Sequence, residues 1–214
     1  MKKLSLYLVA FALLAAPAFA QDGWHSLFDG KTLDGWKFSE KAGSFKVEDG
    51  AIVVNGVRSH LFYVGDVNNH SFKNFELKAK VMTFESANSG IYFHTEFQQD
   101  GWPSKGFESQ INNSMKKEPR MTGSLYQVDD VNTDKLNELG AKDEVWFDYY
   151  IKVEGDNVLI KINDKVAINW TQPAGYKGPN GNPGRVLSSG TFAIQAHDPG
   201  SKVLVKDIMV KPLK

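Results

Sequence analysis

The sequence predicts an all-β fold, a sandwich or jelly roll of two antiparallel sheets. Period-two alternation of apolar and polar residues recurs in about a dozen short runs. Residue pairs that tolerate left-handed backbone sit between several of those runs, and a helical period appears in a single short stretch. In Phe75–Val81 the residues Phe75, Leu77, Ala79 and Val81 share one face while Glu76, Lys78 and Lys80 share the other, the pattern of a half-buried strand. Similar runs are Ser44–Val47, Ala51–Asn55, Leu61–Val64, Ile91–Phe97, Phe107–Ile111, Leu125–Val128, Val145–Val153, Val158–Ile162, Val166–Trp170, Thr191–His197 and Val203–Val210. Asp49-Gly50, Gly155-Asp156 and Asn163-Asp164 have the chemistry of tight hairpin turns. The helical exception is Thr133–Leu139. With no helices between the strands, a parallel α/β fold is excluded, and with no internal repeat a propeller is disfavoured. Two connections exceed hairpin length, Asn112–Gly123 and the Gly- and Pro-rich Thr171–Gly190. Connections of that length are commonly binding loops or lids, and otherwise mobile insertions.

The chain has 214 residues, and Lys2 and Lys3 precede an apolar run from Leu4 to Leu14 and then Ala18-Phe19-Ala20. That order reads as a secretory signal over residues 1–20 with cleavage after Ala20. It leaves residues 21–214 as one domain, expected to be soluble and periplasmic or secreted. The apolar run falls short of the roughly 20 residues that span a bilayer, so no membrane span is expected. Without Lys2 and Lys3 there are 23 basic and 25 acidic residues, which gives no net attraction to nucleic acid or anionic lipid. The absence of cysteine excludes a disulfide framework, thiolate zinc sites and a Cys nucleophile.

Strand parity exposes an unusual polar face. Tyr92, His94 and Glu96 oppose Ile91, Phe93 and Phe97. Glu108, Gln110 and Asn112 alternate with Phe107, Ser109 and Ile111, and Gln195 and His197 share a face. Tyr126 stands between Leu125 and Gln127. Aromatics mixed with amides, carboxylates and imidazoles suit a hydroxyl-rich ligand, whose apolar faces stack on rings and whose hydroxyls need donors and acceptors. A structural polar face is the plain alternative. Phosphate-cradling, dinucleotide, zinc-helix and G-x-S-x-G motifs are missing. So is the E-x-D-x-x-E strand of jelly-roll endoglucanases, which disfavours conventional retaining glycoside hydrolysis. His25, His60 and His70 read as surface or packing histidines.

Four ordered motifs carry a resemblance: Leu27-Phe28-Asp29-Gly30-Lys31-Thr32-Leu33-Asp34-Gly35-Trp36; Asn88-Ser89-Gly90-Ile91-Tyr92-Phe93; Gly106-Phe107-Glu108-Ser109-Gln110-Ile111; and Gln195-Ala196-His197 ahead of Val205-Lys206-Asp207-Ile208. Together they resemble the bacterial 3-keto-disaccharide hydrolase family over nearly the whole chain after the signal. The resemblance implies a concanavalin-like jelly roll and an enzyme that cleaves glycosides already oxidised at C3 by a separate dehydrogenase. It also implies Glu108, His197 and His94 as the catalytic set, although the family more commonly has Arg where His94 stands. Gln110, Tyr92, Tyr126, Lys105, Arg120 and Gln195 are implied for the sugar or its enolate oxygen. Glu, His and amide oxygens together suit a divalent metal ion that would polarise the ketone, with its identity open. A non-catalytic carbohydrate-binding module and a calcium-stabilised, lectin-like adhesion or scaffold domain remain as rival functions for the same architecture.

Overall fold

The computed structural model describes residues 21–179 and 182–214; the expected signal segment lies outside them. Among the described residues thirteen strands follow one another: β1 (His25–Ser26), β2 (Trp36–Phe38), β3 (Phe45–Glu48), β4 (Ala51–Asn55), β5 (Ser59–Tyr63), β6 (Asn74–Thr83), β7 (Ser89–Thr95), β8 (Phe107–Ile111), β9 (Phe147–Glu154), β10 (Asn157–Ile162), β11 (Lys165–Thr171), β12 (Thr191–Ala196) and β13 (Lys202–Leu213). Helix α1 (Thr133–Leu139) lies between β8 and β9. The larger sheet runs β11-β10-β9-β6-β13-β4-β3, with β1 paired to β13. The smaller runs β2-β5-β12-β7-β8, and all pairs are antiparallel. This is the two-sheet sandwich that the alternation predicts.

The turn chemistry acts as expected. Asp49 and Gly50, and Asn163 and Asp164, all have positive φ, the two-residue turns whose twist matches the flanking strands. Gly155 supplies the single positive φ between β9 and β10. Helix α1 is bounded by Asn132, whose side chain accepts from the Lys135 amide, and by Gly140 in the left-handed conformation.

The inner faces of the two sheets form one core, with Phe75, Leu77, Val81, Ile91, Phe93, Ile160, Ile194 and Val205 all buried. A polar strut crosses it. The Tyr149 hydroxyl on β9 donates to the Gln110 carbonyl (2.8 Å) and shares a hydrogen bond with the Ser109 hydroxyl (2.7 Å). Burial raises the Tyr149 phenol well above its ordinary pKa, so it stays a donor, and it fixes the height of β8 above the larger sheet.

Two expectations are corrected. Leu125–Val128 is a tight turn, not a strand. Leu125 makes isolated bridges with Ser109 and Asp129, Gln127 has φ 63°, and the Val128 amide returns to the Leu125 carbonyl. The parity of β7 also breaks. Tyr92 pairs with Ala193 and Thr95 with Thr191, so Phe93 and His94 together oppose Phe192, and His94 has φ 55°. This bulge turns His94 off the face that carries Tyr92.

Candidate active site

The outer face of the smaller sheet carries the site. Cross-strand pairing sets Glu108 opposite Tyr92, Gln110 opposite Gly90, and Gln195 opposite His60. Gly90 is required by this packing, because a Cβ there would lie 2.5 Å from Glu108 Oε1 and 2.8 Å from its Cγ. Over the face lies a cavity of about 220 Å³ lined by Tyr92, Glu108, Gln110, Gln195 and His197, with Asn88, Trp102, Glu118, Tyr126, Gln127, Asn182 and Arg185 completing its wall. Glu118 comes from the 112–123 connection, and Asn182 and Arg185 from the 171–190 connection, so both long loops wall the cavity.

Glu108 is the centre of the polar network and only 4% exposed. Its Oε2 accepts from the Tyr92 hydroxyl (2.7 Å) and its Oε1 from Gln195 Nε2 (2.8 Å), while Arg185 Nη2 stands 3.8 Å from Oε2. Burial raises the Glu108 pKa, and the nearby Arg185 charge and the two hydrogen bonds only partly oppose it. Two donors aimed at the carboxylate are the geometry of an ionised acceptor. A carboxylate whose pKa is lifted by desolvation is also a stronger base than a free one. Tyr92 is buried beside that charge, and burial with the Glu108 charge holds its phenol well above the ordinary range. Gln110 is anchored through Nε2 to Asn88 Oδ1 (2.8 Å).

His197 stands just past the end of β12. Its Nδ1 is 2.7 Å from Asp198 Oδ2, and Asp198 also accepts from the Ser201 hydroxyl and the Gly200 amide. Burial opposes ionisation of Asp198, but these bonds together hold its carboxyl below the usual range. The ionised Asp198 places a proton on His197 Nδ1 and leaves Nε2 for chemistry. The Trp102 ring lies 5.2 Å from the His197 ring at an interplanar angle of 37° and gives the cavity an apolar wall.

The structure brings Glu108, His197, Gln110, Tyr92, Gln195 and Tyr126 to one cavity and leaves three expected residues off its wall. His94 is turned away by the bulge. Its Nε2 donates to the Lys73 carbonyl (2.8 Å), its Nδ1 accepts from the Ser188 amide (3.1 Å), and its ring packs against Phe75 and Phe93. Burial lowers its pKa to about 4. It is a neutral tether for the base of the 171–190 loop. Lys105 pairs with Glu96 (3.0 Å) at the surface. Arg120 lies in a neighbouring hollow with Gln127, Asp129, Asp130 and Pro179. It pairs with Glu118 (3.0 Å) and stacks over Tyr126 at 4.6 Å.

Sequence reasoning missed Arg185, Trp102, Asn182, Asn88, Glu118 and Gln127. A lone arginine in the Gly- and Pro-rich run Pro179–Gly190 is the one signal that points to Arg185. His60, read as a packing histidine, is fully buried behind Tyr92 and Trp102, with ring centroids at 5.4 and 5.5 Å. Neither of its ring nitrogens has a hydrogen-bond partner among the described residues.

Among the described residues no group of three or more His, Asp or Glu side chains is placed to hold a divalent metal ion. The arrangement offers a desolvated carboxylate, an imidazole oriented by a carboxylate, and a buried guanidinium around one small cavity. Among the described residues no helix is long and apolar enough to cross a membrane.

Comparison with known proteins gives this arrangement a family. The chain matches a crystal structure of a candidate glycosyl hydrolase from Parabacteroides distasonis with TM-score 0.72 and 23% identity, covering 90% of this chain and 94% of that one. It also matches a Bacillus subtilis protein of unknown function with a galectin-like fold (TM-score 0.52, 12% identity, 88% and 94% covered). These likenesses bear out the jelly-roll architecture. A 3-keto-disaccharide hydrolase of Bacteroides thetaiotaomicron is 37% identical over 79 residues, 34% of this chain and 27% of that protein's length. The chain therefore spans only part of that relative. The family model described as the 3-keto-alpha-glucoside-1,2-lyase-like domain matches residues 23–211, which take in both sheets and every residue of the cavity wall. The chain belongs to that family.

Proposed function

We propose that this protein cleaves glycosides of sugars carrying a ketone at C3, by elimination across C1 and C2 followed by addition of water. The observation that carries the reading is the pairing of Glu108, desolvated beside Arg185, with the His197–Asp198 dyad across one cavity. Conventional glycosidases need two free carboxylates flanking the bond. Here the other carboxylate on the wall, Glu118, is held by Arg120.

A C3 ketone acidifies the C2 proton enough for a carboxylate to remove it. Glu108 takes that proton, and the C2–H electron pair moves into the C2–C3 bond as the C3 oxygen becomes an enolate. The enolate electrons then re-form the ketone and expel the C1 oxygen, which takes a proton from His197 Nε2. The product is an unsaturated 3-keto sugar with a C1–C2 double bond. Water adds to C1 and C2 regains a proton, giving net hydrolysis. The dyad suits the acid role because Asp198 engages Nδ1 and leaves Nε2 as the donor. At about 220 Å³ the cavity is below the roughly 300 Å³ low end for drug-sized ligands, which suits one keto-sugar ring with the leaving group outside. The chemistry requires an upstream sugar C3-dehydrogenation. The signal reading of residues 1–20 places the reaction in the periplasm or medium.

A 3-keto-glucoside with a chromogenic leaving group tests the reaction, with the unoxidised glucoside as control. Turnover is expected only with the ketone. Equilibrium binding without release of the chromogen would replace the enzyme reading with that of a carbohydrate-binding module. Deuterium exchange at C2 of a 3-keto sugar with a poor leaving group separates the roles: exchange should persist in His197→Ala and vanish in Glu108→Gln.

A further inference from the structure

Arg185 is 6% exposed, and its Nε and Nη1 have no hydrogen-bond partner among the described residues. Its nearest charge is Glu108 at 3.8 Å, longer than a hydrogen bond, and its guanidinium lies 5.8 and 5.5 Å from the rings of Tyr92 and Tyr126. A guanidinium has five N–H donors in a planar fork. Burying it half-paired costs free energy that a purely structural cation would avoid. The loop nonetheless holds it there. The Arg185 amide bonds to the Asn182 carbonyl, Gly106 donates to the Gly184 carbonyl, and a Cβ on Gly184 would collide with the Ser104 carbonyl. The His94–Ser188 bond ties down the loop's far end. In the same cavity Gln195 Oε1 is a buried acceptor without a partner among the described residues.

We infer that Arg185 receives the C3 oxygen of the keto sugar and stabilises the negative charge that gathers on it as the C2 proton leaves. The inference rests on the reaction proposed above. The chemical demand matches the supply: an α-hydroxy ketone brings an acceptor oxygen for the unmatched donors and a hydroxyl for the unmatched Gln195 acceptor. Glu108 and Arg185 are neutral as a pair before reaction. When Glu108 takes the proton its charge moves to the substrate oxygen, and Arg185, desolvated and fixed, remains opposite a single anion throughout. A fixed cation in a site from which water is excluded is worth more at that moment than one in solvent. Lys105 and Arg120, held by Glu96 and Glu118, lack that freedom.

The test combines turnover and binding in the full chain. Arg185→Met keeps the volume and removes the charge. It is expected to lower kcat by on the order of 10²-fold or more with a much smaller change in KM, because the substrate charge it meets arises only as the C2 proton leaves and is absent from the bound ketone. Ascorbate, a ring enediol anionic at neutral pH, serves as an enolate mimic, and methyl glucoside as a neutral control. By calorimetry the wild type should bind ascorbate at least 10-fold more tightly than Arg185→Met, with methyl glucoside shifting less than 3-fold. Arg185→Lys keeps a cation beside Glu108 and guards against a folding defect; it should lose about 10-fold in kcat. Equal ascorbate affinity in wild type and both variants, or unchanged kcat, overturns the inference while leaving the elimination reading in place. Arg185-dependent ascorbate binding without turnover of any 3-keto glycoside has the opposite meaning: the anion site stands and the reaction falls.

Discussion

Acid should destabilise this protein through His60, by an amount that the structure sets. His60 is neutral and wholly enclosed, and burial lowers its pKa from 6.5 to about 3. Around it, Glu40 pulls the value up, and Arg58 and His197 push it further down. Because the folded pKa lies below the unfolded one, the unfolded chain binds more protons between pH 6.5 and about 3. Stability attached to this group is therefore complete above pH 6.5 and drains away as pH falls through that window. At pH 5 the linkage amounts to about 2 kcal/mol, and at full protonation to about 5 kcal/mol, since each pKa unit is worth about 1.4 kcal/mol. His94, with its pKa lowered to about 4, adds a similar term at pH 5 but keeps both hydrogen-bond partners. The discriminating variant is His60→Leu, which removes two unpartnered nitrogens while filling much of the same space. Urea unfolding at pH 8 and pH 5 gives the comparison. Wild type should lose about 2 kcal/mol more than His60→Leu over that interval, because the His94 contribution is common to both. Parallel losses in the two proteins would show that His60 is solvated or protonated in the native state, and the argument from burial would be wrong.

Three further outcomes follow from the network around Glu108. Glu108→Gln should keep the fold, because the amide is nearly isosteric, yet lose on the order of 10²-fold or more in kcat on a 3-keto-glucoside; steady-state kinetics beside a thermal melt checks both halves. Gly90→Ala would put a methyl group against Glu108 Oε1 and Cγ, displacing the carboxylate. On the order of 10²-fold in turnover should be lost with less than about 2 kcal/mol of stability. Tyr92→Phe removes the donor to Glu108 Oε2, which raises the carboxyl pKa further. The acid limb of the kcat/KM profile should then move to higher pH, and an unmoved limb would detach Glu108 from catalysis.

The sequence disclosed regular structure where side chains alternate and two-residue turns interrupt them. β6, β9 and β10 alternate cleanly, and the Asn163-Asp164 turn has the positive φ values that its residues tolerate. It hid β1 and β2, which at two and three residues are too short for a period to show. Leu125–Val128 has the composition of a strand. Its amides instead close a turn between Leu125 and Asp129, so strand-like composition lost to local turn hydrogen bonds.

The same contrast divides the candidate site. Glu108, Gln110, Tyr92 and Gln195 could be grouped in advance because parity assigns strand residues to a face and register carries that assignment across neighbours. His94 escaped the rule because one extra residue in β7 inverts parity beyond Tyr92, a change written in the pairing with Phe192 rather than in either strand alone. Arg185 escaped because no period governs a loop; its position depends on the close approach of Gly184 to the Ser104 backbone and on the tether from His94. The displaced histidine and the unforeseen arginine are thus connected. By leaving the sheet face, His94 gains the Ser188 amide as a partner and anchors the segment that brings a cation over Glu108. The sheet can be read for Glu108, but the placing of Arg185 depends on how the bulge and the loop fit together. A variant that repairs the bulge by deleting one residue at Phe93–His94 should therefore restore strand parity and lose the Arg185-dependent ascorbate affinity. Retained affinity in a folded deletion variant would show that the loop is positioned without His94.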